Sequence, residues 1–122
     1  TQFRWANLHQ TVMIRCDAEG ANFSGASLHR TDLRLSNLRS ASFAGANLRG
    51  AKLCYSDLSG ADLTGADLTG ADLTGANLTG AHIEAVCWRS TTLQRAQVDA
   101  SWALKAADKS SRLVQPLPLT PV

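Results

Sequence analysis

Two histidines, His9 and His29, stand twenty residues apart, and the same interval leads on to Arg49 and, two intervals further, to Arg89. Paired imidazoles can bind zinc, but zinc sites use three or four protein ligands, and the polar residues nearby are amides and a hydroxyl rather than carboxylates or thiols. A solvated basic stripe is therefore favoured over a metal site, and it could bind a phosphate or an acidic partner. We call His9, His29, Arg30, Arg49 and Arg89 the basic stripe.

Four aspartates recur at intervals of five residues, and two carboxylates can act as general acid and base if they converge on one bond. The five-residue frame described next points them out of successive faces, so no catalytic pair is expected. Each is followed by leucine and is predicted to accept hydrogen bonds from nearby corner amides. The four are Asp57, Asp62, Asp67 and Asp72. No catalytic or cofactor-binding residue and no metal site is predicted, and the chain is not expected to be an enzyme.

The frame is clearest in Ala61 to Ala81, which reads ADLTGADLTGADLTGANLTGA. A five-residue period cannot form one helix face, because each step rotates the leucine by roughly 140° around a helix. Ala-Asp-Leu instead alternates small apolar, polar and large apolar residues, as a strand does. Thr-Gly supplies turn chemistry, since glycine accepts positive φ. Each unit therefore predicts a three-residue strand followed by a corner.

The frame continues without insertion or deletion from Thr1 to about Ala100. Large apolar residues fill nearly every fifth position, with the small Ala18 as the exception. The position two residues earlier is small everywhere except at Val86. Val86 and Trp88 together predict extra bulk and local distortion near the end of the repeat. This persistence favours a structural repeat over a local low-complexity run.

The three phenylalanines of the chain, Phe3, Phe23 and Phe43, are twenty residues apart and are followed in the same series by Leu63 and Ile83. These five residues are the predicted core stack. Equivalent residues on successive coils resemble one another, so this spacing predicts four units per coil. About five four-sided coils, with about 4.8 Å between paired strands, would form an all-β solenoid on the order of 25 Å long.

The repeats resemble the pentapeptide-repeat family, whose motif is A(D/N)LXX, over about four-fifths of the chain. The resemblance implies a right-handed quadrilateral β-helix. Residues 1–100 are predicted to form this β-helix. Residues 101–122 are predicted to form a short C-terminal capping helix, with Trp102 as the plug of the last coil, and an extended tail that holds all three prolines.

The formal net charge of +2 is too small to imply a polyanionic partner by itself. No apolar run is long enough to span a bilayer, so membrane insertion is not expected. Three cysteines without a CxxC pair argue against a disulfide framework, which favours a cytoplasmic location.

Asp32, Lys52 and Asp72 share a column and predict a surface ion-pair ladder. The uncapped end of the first coil makes homodimerisation possible.

Four apolar residues occupy positions that the motif points outward, and they form the predicted partner surface: Val12, Ile14, Leu35 and Tyr55. A contiguous apolar strip would mark a protein contact. The predicted function is therefore a non-catalytic protein–protein interaction or scaffold module. The alternative implied by the resemblance is a DNA-mimicking protein that binds topoisomerase or DNA gyrase, as some family members do, although the positive net charge disfavours it. Nucleic acid is not expected as a partner, because the basic stripe has no interleaved aromatic residues.

Overall fold

In the computed structural model, which describes residues 2–99, the chain pairs with itself every twenty residues. All pairings are parallel bridges between single residues, and within 2–99 there is no helix and no continuous strand. Four ladders of bridges run along the molecule and define four faces. Face 1 carries Gln2–Asn22–Ser42–Asp62–His82, face 2 carries Asn7–Ser27–Asn47–Asp67–Cys87, face 3 carries Val12–Asp32–Lys52–Asp72–Thr92, and face 4 carries Asp17–Asn37–Asp57–Asn77–Gln97.

Backbone hydrogen bonds join each coil to the next in both directions. On face 1, Phe23 N donates to Ser42 O at 2.7 Å, and on face 2, Ser27 N donates to Ala6 O at 2.9 Å. The predicted three-residue strands are therefore shorter than expected, with one bridged residue on each side of the coil. The reason is that two of every five residues form the corner, so little extended backbone remains for pairing.

Each corner is a tight turn whose third residue has positive φ. All nine glycines of the chain take this position, with φ between 66° and 73°. Ten other residues, from Trp5 to Arg95, adopt the same conformation with φ between 57° and 60°. Most turns close with a bond such as Ala61 N to Leu58 O at 3.0 Å, as a type II turn does. Four such corners complete one coil.

The interior is filled by the large apolar residue of each unit and by the small residue two positions earlier. Phe3 stacks on Phe23 with ring centroids 5.0 Å apart, and Phe23 stacks on Phe43 at 4.9 Å with planes 4° apart. Leu63 and Ile83 continue this column and are buried. Trp88 is also fully buried, and beside it the Val86 N to Ile83 O distance lengthens to 3.4 Å.

Hydroxyl groups replace alanine at several interior positions and donate across to the preceding coil. Thr31 Oγ1 donates to Leu8 O at 2.6 Å, and Thr91 Oγ1 donates to Leu68 O at 2.7 Å. Ser56 Oγ donates to Leu33 O in the same way. These residues are almost fully buried, and each hydroxyl is satisfied, so they do not carry the cost of an unpaired buried polar group.

The predicted capping helix, its plug Trp102 and the tail lie outside the described residues. Within 2–99, no helix is long and apolar enough to cross a membrane. The three cysteines, Cys16, Cys54 and Cys87, are free and half-buried.

Candidate interaction surfaces

The four apolar residues of the predicted partner surface are all exposed on face 3. Val12 is 70% exposed, Ile14 40%, Leu35 47% and Tyr55 56%. Val12 and Ile14 lie in the first coil, and Leu35 and Tyr55 lie one above the other at the corner of the second and third coils. The apolar surface therefore runs diagonally over three coils of one face.

Leu35 and Tyr55 are held in an unusual backbone conformation. Their φ angles are 60° and 58°, a region that bulky residues rarely occupy and that glycine occupies freely. The Tyr55 ring covers Gly75 in the next coil, where a β-carbon would come within 2.4 Å of the ring. The corner thus presents two large apolar side chains at a position where nine other corners of the repeat use glycine.

Asp32 and Arg34 form an ion pair between the two halves of this apolar surface. Arg34 Nε donates to Asp32 Oδ1 at 2.9 Å and Arg34 Nη2 donates to Asp32 Oδ2 at 2.8 Å. The side-chain hydrogen bonds from Arg34 hold the pKa of Asp32 below its ordinary value. The sequence predicted that Asp32 would form an ion pair with Lys52, and this prediction is wrong. Asp32 pairs with Arg34 instead, because the guanidinium two residues away can bond to both of its carboxylate oxygens.

On face 2 the structure brings His9 and His29 into contact. Their Nδ1 atoms are 3.2 Å apart and their ring centroids 4.8 Å apart, with the rings tilted by 46°. Burial, followed by the charges of His9, Arg30 and Arg49, lowers the pKa of His29. Arg49 Nε lies 3.9 Å from Asp67 Oδ2. The basic stripe is thus one continuous surface from His9 to Arg49.

Arg89, the last member of the basic stripe, is exposed on the same face two coils beyond Arg49. Between them the column holds Thr69, whose hydroxyl donates to Asp67 Oδ1. Arg89 is therefore separated from the other basic residues by a neutral position and an acidic one.

Face 4 lies opposite face 2 and has the opposite charge. It carries four acidic residues and one arginine among residues 2–99: Asp17, Glu19, Asp57, Asp99 and Arg39. The net charge of the repeat is therefore close to zero although its charges are separated, with face 2 basic and face 4 acidic.

The regularly spaced aspartates accept hydrogen bonds from backbone amides of the corners, as predicted. Asp62 Oδ1 accepts from Thr64 N at 2.9 Å, and Asp67 and Asp72 do the same for Thr69 and Thr74 at 3.0 Å. Burial would raise the pKa of Asp67 and of Asp72, but hydrogen bonds from a threonine and a cysteine at each aspartate, with the charge of Arg49 at Asp67, together lower the pKa of both. Within the described part of the chain, no group of three or more His, Cys, Asp or Glu side chains is placed to hold a metal ion.

Trp5 is an exposed aromatic residue that the sequence reasoning missed. Its side chain is 73% exposed and covers Gly25 as Tyr55 covers Gly75. The signal was present in the sequence, since in both cases an aromatic residue at the corner position is followed twenty residues later by glycine.

A chain that closes a coil every twenty residues, with a sealed apolar interior and variable side chains on flat outer faces, is a β-helical repeat protein. The pentapeptide-repeat model matches residues 1–39 and 41–80 with eight copies, so the chain belongs to the pentapeptide-repeat family. Members of this family fold as right-handed β-helices. No curated protein matches the sequence significantly.

Solved structures with the same fold include a pentapeptide-repeat protein, Rfr23, from the cyanobacterium Cyanothece 51142. It is 28% identical, with a TM-score of 0.63, and the match covers 78% of this chain and 61% of that one. Full-length QnrB1, a plasmid-mediated fluoroquinolone resistance protein, is 19% identical with a TM-score of 0.55, covering 84% of this chain and 82% of its own. The chain therefore spans less than two thirds of the length of Rfr23.

Proposed function

We propose that this chain is a non-catalytic interaction module that binds a protein partner through the apolar surface of face 3. The observation that carries the proposal is the exposure of Leu35 and Tyr55, at 47% and 56%, in a backbone conformation that favours glycine. Large apolar side chains at such positions do not help the coil to form. Binding of another molecule at this surface would explain why large apolar side chains occupy these corner positions.

The arrangement of the polar residues supports a binding role over catalysis. The aspartates that could have formed an acid–base pair each bond to their own corner, as Asp67 does with Thr69. The fixed ion pair of Asp32 and Arg34 adds a polar group inside the apolar surface, which is typical of protein interfaces. A partner would bury the apolar side chains around this pair.

The proposal is tested by replacing both corner residues with glycine, as Leu35→Gly with Tyr55→Gly. Glycine is the residue that the corner conformation prefers, so the double variant should remain folded. The matched control is Ser40→Gly with Ser90→Gly, two corner residues with φ of 57° and 58° on other faces. Circular dichroism and thermal unfolding check that both double variants retain the fold.

Affinity capture from an extract of the source cell, quantified by mass spectrometry, then compares the three proteins. A partner retained by the parent chain and by the serine control, and lost at least tenfold with the face 3 variant, supports the proposal. If the face 3 variant captures the same proteins in the same amounts as the control, the proposed surface is wrong.

The second candidate, binding to DNA gyrase or topoisomerase by imitating DNA, is supported only by fold. QnrB1 is described as a fluoroquinolone resistance protein, but at 19% identity the similarity concerns the β-helix alone. A DNA mimic needs a negative surface, whereas faces 2 and 3 carry most of the arginines. Inhibition of gyrase supercoiling at stoichiometric amounts of this chain would replace the first proposal with this one.

A further inference from the structure

The contact between His9 and His29 restricts how many protons the two rings can hold. Their Nδ1 atoms are 3.2 Å apart, within hydrogen-bond distance. An imidazole Nδ1 either carries a proton and donates or lacks one and accepts. The bond therefore exists only while one of the two rings is neutral, and protonation of both rings must break it.

The groups around the histidine pair are mostly basic. Arg30 and Arg49 both act on His29 electrostatically. The stem of Arg30 lies over Gly50, with its Cγ 3.2 Å from where a β-carbon of residue 50 would be. The nearest bridged residues of face 2 are neutral. The remaining charged or titratable groups of this face and of its preceding corner are Arg4, Asp67, Glu84, Cys87 and Arg89. Glu84 lies two coils beyond Arg49.

Only Asp67 opposes this positive charge on face 2, and it lies beyond Arg49 at 3.9 Å from Nε. The side chain of Arg30 has no carboxylate within ion-pair distance in residues 2–99. Full protonation of the histidines would therefore place four adjacent cations on one face. Face 4, on the opposite side, is acidic. An anionic ligand would therefore be drawn to face 2 rather than to face 4.

We propose that His9, His29, Arg30 and Arg49 form an acid-strengthened binding site for a carboxylate-rich segment of a protein partner. The inference deepens the proposed interaction function and rests on it for the identity of the ligand as protein. The three levels of the site span about 10 Å along the coil axis, at about 4.8 Å per level. An extended acidic segment along this axis would bring successive carboxylates to the histidine pair and to the two arginines.

The charge distribution favours an acidic peptide over nucleic acid. Proteins that bind nucleic acid without sequence preference usually neutralise a longer run of phosphates than four cations can reach. The site is also flat and lacks the enclosing donors with which proteins hold a free phosphate. A short acidic segment matches both the extent and the shape of the site.

The test uses the purified chain, a glutamate peptide of about ten residues, and NMR of the histidine Hε1 protons at about pH 5.5 and pH 7.5. The peptide carries slightly less negative charge at pH 5.5 than at pH 7.5, which by itself would weaken binding. Tighter binding at the lower pH therefore comes from the protein. We expect the peptide to bind roughly twofold to fivefold more tightly at the lower pH, because the positive charge that the histidine pair gains there strengthens an exposed contact modestly. We also expect the bound peptide to raise the pKa of His29, because carboxylates beside the ring favour its charged form.

His82, on face 1, is the internal control, because its resonance should not respond to the peptide. Arg49→Gln should weaken binding at both pH values, whereas Arg39→Gln, on the acidic face, removes the same charge and should leave binding unchanged. His9→Gln with His29→Gln should retain the binding seen at pH 7.5 and lose its increase at pH 5.5. His82→Gln should keep that increase.

Equal affinity at the two pH values, or equal losses for Arg39→Gln and Arg49→Gln, would overturn the proposal. Tighter binding of a single-stranded oligonucleotide with the same number of charges would also overturn the assignment to a protein segment. Because the assay uses a defined peptide, its result does not depend on Leu35 or Tyr55. The glycine double variant at those residues should bind the peptide normally, which separates this test from that of the face 3 surface.

Discussion

The ring of Tyr55 covers Gly75 in the following coil, so that a β-carbon on residue 75 would lie 2.4 Å from Tyr55 Cδ1 and Cε1. The same relationship joins Trp5 to Gly25, where the corresponding distance to Trp5 Cζ3 is 2.2 Å. An aromatic residue at a corner therefore requires glycine at the corner below it. The requirement is steric and separate from the positive φ of the glycine itself.

Gly75→Ala should consequently destabilise the fold more than Gly45→Ala. Gly45 has a similar φ of 66°, but nothing lies within 4 Å of its missing β-carbon. We expect a cost of about 1 kcal/mol for Gly45→Ala, from φ alone, and about 1 kcal/mol more for Gly75→Ala, because the Tyr55 ring must move. Denaturant unfolding measures both. Equal losses would show that the ring adapts without cost.

Ser56→Ala should destabilise the chain by about 1–3 kcal/mol, because Leu33 O and Ser36 N lose the hydroxyl that they share inside the solenoid. Ser56→Thr should restore most of the loss, since Thr31 makes the equivalent bond to Leu8 O. The surface control is Ser59→Ala, which removes a hydroxyl bonded only to Asp57 within the described residues. A loss as large for Ser59→Ala as for Ser56→Ala would contradict this account.

Phe43→Ala should cost about 3–5 kcal/mol, because the ring is fully buried and stacked on Phe23. Phe43→Leu should cost less than about 1.5 kcal/mol, since Leu63 occupies the same column one coil further on. Unfolding free energies of the two variants provide the measurement. If Phe43→Leu were as destabilising as Phe43→Ala, the column would depend on aromatic stacking rather than on filled volume.

The ion pair of Asp32 and Arg34 should make part of the stability acid-sensitive. Hydrogen bonds from Arg34 lower the pKa of Asp32 in the folded chain, so the unfolded chain binds a proton more readily. The stabilisation is complete above the ordinary aspartate pKa and is lost as pH falls below it, through the lowered folded value. Urea unfolding of the parent chain between about pH 6 and pH 2 should show this loss.

Asp32→Asn removes the titrating group and is the matched variant. It should be less stable than the parent chain at neutral pH and should lose less stability on acidification. The difference between the two proteins should therefore narrow as pH falls. A constant difference across the whole range would mean that the ion pair does not titrate as described.

The sequence alone was sufficient for the path of the chain. A five-residue frame without insertions places each residue inside or outside the coil, because the large apolar residue of each unit and the small residue two positions before it are the two that must be buried. The spacing of Phe3, Phe23 and Phe43 then gave the number of residues per coil. The outward positions of Leu35 and Tyr55 followed from the same frame.

Only the tertiary structure decided which outward side chains meet. Lys52 lies next to Asp32 in its ladder, yet Asp32 pairs with Arg34, because a guanidinium can reach both carboxylate oxygens. The facing nitrogens of His9 and His29 depend on ring rotation, which backbone periodicity does not constrain. The sequence by itself determined whether each side chain points into or out of the coil, because burial and turn formation depend on the spacing of residues within each five-residue unit. The contacts between coils, such as His9 with His29 and Arg49 with Asp67, required the packed coils, because they join side chains eighteen or twenty residues apart.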